Sequence, residues 1–240
     1  MVEKIININD FTLILPILNE SKNLKLLLNE IRNIPILKKI KIIVIDDNSD
    51  DKLISKKISK NFGAKYILRT KIKSLSASII DSILYFETEY FIVMDADLQH
   101  NPFNIVDIIK IIQKEKSDLV IGCRDIKNLN FNFTFKRKII SNSGIIIANF
   151  FLNKKFKDPL TGFFCIKYSF FKKISKKLHY GGSKILFNIL IFSSKIAINE
   201  IVINFRPRKY DSSKFKLNWH YYFIRVIFSS LIYRIFNIFN

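Results

Sequence analysis

The chain has 240 residues, with 40 lysines and arginines against 20 aspartates and glutamates, a formal net charge of +20 at neutral pH. That length holds one sizeable α/β domain with a large core, or a domain and a tail, and no internal repeat divides it. The basic balance admits nucleic acid, an anionic membrane or a phosphorylated ligand as partner, but a composition swollen in Lys, Ile, Asn and Phe makes much of the charge scattered, solvated lysine.

Short apolar runs at residues 11–15, 40–45, 64–68, 90–94 and 118–122 are predicted strands, separated by helix-length amphipathic stretches. Strand and helix in that rhythm imply an α/β fold, a mainly parallel sheet covered by helices on both faces. After the first strand, Ser21 is placed to cap a helix whose Leu24, Leu27, Leu28 and Ile31 form one apolar stripe. Ligands of such sheets bind beyond the carboxyl ends of the strands. Those ends carry "LPILNESKNL", "DDNSDD", "DADLQHNP" and "GCRD", each with at least one acid.

In "DADLQHNP" the strand ends where Asp95 and Asp97 emerge, and alternation puts both carboxylates on one side, able to share a divalent cation. Asn48, Ser49 and Asp50 are expected to build a turn and helix cap. Neither a Walker A loop nor a GxGxxG fingerprint occurs. Only eight of the 40 basic residues are arginine, and Arg124, Arg137, Arg206 and Arg208 fall near strand ends or suspected site segments, where a planar fork suits phosphate. Cys123 and Cys165 lie in apolar runs and are expected to be small buried hydrophobes. His100, His179 and His220 are too scattered for a metal site and are taken as ordinary residues. The first residues lack the apolar core of a signal peptide, which points to a cytosolic catalytic face.

From Leu217 onward Tyr221, Ile224, Phe228, Leu231, Ile235 and Ile238 recur at helical spacing, with Arg225 and Arg234 toward the other side. The expectation is a domain at 1–215 and a C-terminal amphipathic helix at 216–240 lying in a membrane interface or docked on a membrane partner, with a helix covering the sheet as the alternative.

The ordered set "LPILNESKNL", "VIDDNSDD", "VMDADLQHNP", "DLVIGCRD", "FKRKIIS", "DPLTGFFCIK" and "RKYDSSKF" resembles the family 2 glycosyltransferases of GT-A fold, in the branch of dolichol-phosphate mannosyltransferase and related polyprenyl-phosphate glycosyltransferases. The resemblance implies an inverting, metal-dependent transfer of a sugar, mannose in that branch, from a nucleotide sugar (GDP-mannose or a UDP-hexose) to dolichyl or undecaprenyl phosphate. It places the enzyme on the cytoplasmic face of a membrane, peripheral or interfacially anchored. A small membrane-embedded subunit is a possible partner, and nucleic acid is not one.

By the same resemblance Asp97 and Gln99, with Asp95, hold Mg²⁺ or Mn²⁺. Pro16, Asn19, Glu20, Asp46, Asp47, Asp95, Arg208 and Lys214 bind the donor, and Arg124 and Arg137 bind the acceptor phosphate. Asp95, Asp97, Arg124 and Arg137 form the catalytic set. Asp158 is expected to help build the acceptor end, and Gly162 to permit a turn.

The chain departs from the family in "IKSLSASII", where relatives carry glycines and where Ser74 and Ser76 can still donate, in Asn188 for an acid, and in Asp211 for a glycine. The alternative within the family is transfer to a sugar hydroxyl of a glycan or glycolipid. From other classes come a nucleic-acid-binding protein, on charge alone, and a non-catalytic membrane scaffold, against which the intact "DADLQ" argues.

Overall fold

A computed structural model of the chain describes residues 7–71, 73–125, 135–152, 154–207 and 224–228, with residues 135–140 described by their backbone alone. Among the described residues the strands are β1 (Phe11–Ile17), β2 (Lys41–Asp46), β3 (Lys65–Leu68), β4 (Tyr90–Val93), β5 (Leu119–Arg124), β6 (Phe164–Lys167) and β7 (Ile198–Ile203). Helices α1 (Ser21–Asn33), α2 (Lys52–Asn61), α3 (Leu75–Tyr85), α4 (Phe103–Lys114), α5 (Phe135–Phe150), α6 (Tyr168–Ile174) and α7 (Ile185–Ile191) connect or follow them.

The sheet order is β3-β2-β1-β4-β6-β5-β7. The pairs β1–β2, β1–β4, β2–β3 and β5–β7 are parallel, whereas β6 lies between β4 and β5 and runs against both. This is the expected α/β sheet with helices on both faces. The direction of β6 is the feature that apolar runs alone do not carry. Gly122 in β5 lets β6 approach: a Cβ there would fall 2.7 Å from the Phe163 ring, and the Gly122 N–H donates to the Phe163 carbonyl at 2.9 Å.

Because both faces are covered, the central strands carry nearly continuous apolar runs rather than alternating ones. Leu13, Leu15, Ile92 and Val120 pack with Leu24, Leu27, Leu28 and Ile31 of α1 and the isoleucines of α4. Ile14, Phe91, Val93 and Ile121 face the other way, onto Ile79, Ile80 and Ile83 of α3 and Leu186 and Phe187 of α7. Each such side chain stabilises the fold by roughly 1.5–3 kcal/mol through loss of apolar surface to water. Cys123 and Cys165 are buried and unbridged, as expected of small hydrophobes.

Several local expectations shift. Strand β1 runs on to Ile17, so Pro16 lies inside it, buried and opposite Ile45. Strand β5 runs through Arg124, which is therefore its last residue and does not follow it. Ser21 is the first residue of α1 and not its cap: Glu20 holds the cap position, while the Ser21 N–H donates to Asp51 at 2.9 Å. Asn48, Ser49 and Asp50 do form the turn before α2, with Asn48 at φ 63° and the Ser49 N–H donating to Asp46 at 2.7 Å.

Residues 224–228 are helical. Their buried pair, Val226 and Ile227, joins the core cluster of α3 and α7, whereas Ile224 and Phe228, which lie on the expected apolar stripe, are exposed. The expected boundary at 215/216 lies outside the described residues. Among those described, no helix is long and apolar enough to cross a membrane.

The insertion of β6 generates a stability contrast. Phe164→Ala, at a fully buried residue paired to both β4 and β5, is expected to cost about 3–5 kcal/mol in urea unfolding. Val202→Ala, at an exposed residue of β7, should stay within about 0.5 kcal/mol. Equal effects would mean that β6 is not built into the core.

Candidate active site at the carboxyl end of the sheet

Asp95 and Asp97 stand just past β4, and the chain turns sharply between them and His100. Leu98 takes φ 64°, the left-handed region, which for a residue of this kind costs on the order of 1–3 kcal/mol and marks a turn held by its surroundings. Those surroundings are specific. The Gln99 N–H donates back to Asp97 at 3.2 Å, the Gln99 carbonyl accepts from the Arg206 N–H at 2.7 Å, and the Gln99 side-chain amide donates to the Arg206 carbonyl at 3.4 Å. Asp97 and Gln99 are both largely buried.

Asp95 is the more open carboxylate, its side chain 36% exposed. His100 Nε2 lies 3.8 Å from its Oδ2, with the His100 ring held between Phe163 and Phe205 at centroid distances of 5.2 Å. Burial by itself pushes the Asp95 carboxyl up, but His100, Lys184 and Arg124 facing it more than offset that and hold it below the ordinary carboxylate value. His100, an ordinary residue on sequence grounds, therefore belongs to the site. Its adjacency to "DADLQ" is the one signal that could have flagged it.

Arg124 does not stand as an unattached fork. Its Nε and Nη2 donate to the two oxygens of Asp158 at 2.6 and 2.9 Å, and its guanidinium lies 5.7 Å from the Phe205 ring. Asp158 is fully buried, and with Asp95 it outweighs the burial that would lower the Arg124 pKa, so that value is raised. Lys184 lies against the same group and donates to the Leu160 carbonyl at 3.3 Å; burial and the neighbouring Arg124 lower its pKa against the pull of Asp95 and Asp158. Lys184 is a site residue that the sequence motifs did not flag.

On the other side, across β1 and β2, the acids are engaged by the protein itself. Asp46 is fully buried and accepts from the Ser49 N–H and the Tyr66 hydroxyl, both at 2.7 Å. Asp47 accepts from Arg69 and from the Ser74 N–H, and Arg69 also reaches Asp81 at 2.9 Å. Burial raises the Asp47 pKa more than Arg69 and Ser74 lower it.

Asn19, at φ 56°, clasps Asp50: its Nδ2 donates to the carboxylate at 3.0 Å and its Oδ1 accepts from the Asp50 N–H at 2.6 Å. Glu20 accepts from the Asn23 amide at 2.6 Å. Ser74 spends its hydroxyl on the carbonyls of Tyr180 and Gly182 and on capping α3, so the expected donor to a ligand is a structural clasp. Ser76 is buried in α3, and Asn188 is buried with its amide on the His179 carbonyl at 3.1 Å. The site thus brings together Asp95, Asp97, Gln99 and Arg124 on one side and Pro16, Asn19, Glu20, Asp46 and Asp47 on the other. Arg208, Lys214 and Asp211, and the side chain of Arg137 in α5, lie outside the described residues.

The Glycosyl transferase family 2 model matches residues 12–177. A dolichol-phosphate mannosyltransferase of Pyrococcus furiosus is 35% identical over 222 residues, 90% of this chain and 62% of the relative, so the chain spans about three fifths of that protein's length. A protein of the same description from Saccharomyces cerevisiae is 23% identical over 217 residues, covering 85% of this chain and 80% of the relative. Among solved structures, glucosyl-3-phosphoglycerate synthase of Mycobacterium tuberculosis with Mn²⁺, UDP-glucose and phosphoglyceric acid superposes with a TM-score of 0.71 at 15% identity, over 92% of this chain and 79% of that one. At that identity the likeness concerns the fold.

These findings overturn the expected partners and location. The solved glucosyl-3-phosphoglycerate synthase of the same fold holds phosphoglyceric acid, no described helix is long and apolar enough to span a membrane, and Val226 and Ile227 of the tail are buried in the core. Polyprenyl phosphate, a membrane surface, a membrane-embedded subunit and a place on the cytoplasmic face of a membrane are therefore withdrawn. What the sheet, the acidic turn after β4 and the match over residues 12–177 establish together is that the chain belongs to glycosyl transferase family 2, with the GT-A fold.

Proposed function

We propose that the protein transfers a hexose from a nucleoside diphosphate sugar to a hydroxyl group of its acceptor, by one in-line displacement that inverts the anomeric carbon. The observation that carries this is the turn after β4, where Asp95 and Asp97 stand just past a buried strand and the Asp97 carboxylate accepts from the Gln99 N–H. Oxygen donors of this kind suit Mg²⁺ or Mn²⁺. No group of three or more His, Cys, Asp or Glu that could hold a metal occurs among the described residues. When bound, such a cation supplies Lewis-acid stabilisation of the leaving diphosphate.

Asp97 and Gln99 would hold the cation in this reading, with Asp95 reaching it through water. Asp47, Glu20, Asn19 and Pro16 wall the nucleoside side, and Asp46 serves that wall from behind by fixing the Ser49 turn. Arg208 and Lys214 remain proposals for the diphosphate, and Arg137 for the acceptor end.

A hydroxyl acceptor is favoured by the charge balance beside Asp95. Arg124 and Lys184 face Asp95 and Asp158, two cations against two carboxylates, and the Arg124 fork is already closed on Asp158. That cluster offers no excess charge for a phosphate dianion, whereas a neutral hydroxyl needs none. Such an acceptor must lose its proton as it attacks. Asn188 cannot take it and Asp158 is fully buried, so Asp95 is the carboxylate of the cluster open to substrate.

The test is to incubate the purified protein and Mn²⁺ with UDP-glucose, GDP-mannose and related donors and a panel of hydroxyl acceptors that includes sugars and phosphoglycerate. The expected result is a glycosylated product whose configuration by NMR is opposite to that of the donor. Retention would contradict the single displacement, and the absence of transfer to every hydroxyl acceptor would contradict the acceptor class. Asp97→Asn should lower turnover by at least about a hundredfold at saturating Mn²⁺ with the far-UV spectrum unchanged. Full activity in that variant would remove Asp97 from the mechanism. Asp158→Asn strips the carboxylate from a largely buried guanidinium and is expected to cost about 3–5 kcal/mol in unfolding free energy. A change under about 0.5 kcal/mol would show that the pair does not hold this wall.

A further inference from the structure

Two residues that carry no role in the reading above lie against the Asp95 carboxylate. We propose that Gly162 and His100 are positioning residues that fix the aim of the Asp95 carboxylate, and through it the binding of cation and nucleotide sugar; the inference rests on the donor-site reading.

A Cβ at Gly162 would fall 2.6 Å from the Asp95 carboxyl carbon and closer still to one of its oxygens. Gly162 is not in the left-handed region, so its backbone makes no demand for glycine, and the expectation that it merely permits a turn is corrected. What the position demands is space for a carboxylate.

The backbone there has no room to retreat. Phe163 is fully buried, its N–H donates to Thr161 Oγ1 at 3.3 Å, and its carbonyl accepts from Gly122 at 2.9 Å. A side chain at 162 therefore moves Asp95 rather than the strand.

His100 presents Nε2 to the same carboxylate, 3.8 Å from its Oδ2. The ring is 3% exposed and fixed between Phe163 and Phe205, so it cannot swing away, and its Nδ1 is buried without a hydrogen-bond partner. A buried ring that leaves one nitrogen unsatisfied while aiming the other at a carboxylate is the arrangement expected of a residue kept for placement. Phe163 links the two halves, since it follows Gly162 and packs on His100.

The test measures binding by calorimetry, with Mn²⁺ and whichever of UDP-glucose and GDP-mannose the wild type binds more tightly. Gly162→Ala should weaken binding by about 10–100-fold with little change in unfolding midpoint. In an Asp95→Ala background, where the carboxylate is gone, the same substitution should cost less than about twofold. His100→Gln keeps a donor near the Nε2 position and should bind nearly as the wild type, whereas His100→Asn places its donor near Nδ1 and should lose as much as His100→Ala. A crystal structure of Gly162→Ala reads the aim without any ligand, and the Asp95 carboxylate should be displaced by about 1 Å or more.

Wild-type binding in Gly162→Ala, an equal loss in the Asp95→Ala background, indistinguishable Gln and Asn variants, or an unmoved Asp95 would each overturn the proposal. If Gly162→Ala does not fold, the His100 pair decides. A wild type that binds neither nucleotide sugar with Mn²⁺ would instead count against the donor-site reading, and the crystal structure of the variant would still decide the inference.

Discussion

The site depends on one topological constraint: β6 runs antiparallel between β4 and β5. Phe164, at the start of β6, pairs with Val93 near the end of β4 and with Ile121 in β5. The loop that enters β6 therefore arrives where the other two strands leave, and it carries Asp158 and Gly162 to Arg124 and Asp95. Had β6 been parallel, that loop would have emerged at the opposite edge of the sheet. Gly122 admits the close approach, and the burial of Phe163 and Phe164 makes the placement cooperative with the core.

Electrostatics within the site are close to balanced although the chain as a whole is strongly basic. Lysines that decorate solvated faces account for much of the net charge and say little about chemistry. The informative charges are buried and paired: Arg124 with Asp158, and Arg69 with Asp47 and Asp81. Such pairs are costly to break singly because the remaining charge is left in a poor solvent, so they act as rigid struts. One strut forms the wall beside Asp95 and the other fixes Asp47 at the end of β2.

Sequence carried much of this and stopped at identifiable points. Apolar runs marked β1, β2, β4 and β5 because strands buried on both faces are continuous in hydrophobicity, while β3 at the edge is only half-buried, and "DADLQ" stood out because two acids follow such a run. The turn at Asn48, Ser49 and Asp50 was legible because the Asn48 backbone and the Ser49–Asp46 hydrogen bond are local, whereas the clasp of Asn19 on Asp50 is not. Contacts between residues distant in sequence were not legible: Arg124 and Asp158 are 34 positions apart, and nothing in either segment says that the fork is already closed. The same holds for Ser74, whose hydroxyl meets carbonyls of Tyr180 and Gly182. Gly162 illustrates a subtler failure, since glycine in a loop suggests backbone freedom and its real cause is a neighbour's carboxylate. In the tail, helical periodicity identified a stripe but not which face meets the core, and Val226 and Ile227 are the residues buried.

The central claim is that the turn after β4 holds a divalent cation together with a nucleoside diphosphate. Crystals grown with Mn²⁺ and UDP or GDP, measured for anomalous scattering at the manganese edge, test it directly. The account predicts a single strong peak within coordination distance of the Asp97 carboxylate, beside the nucleotide's diphosphate. A peak elsewhere on the protein, or ordered nucleotide at the end of the sheet with no manganese beside Asp97, would contradict it.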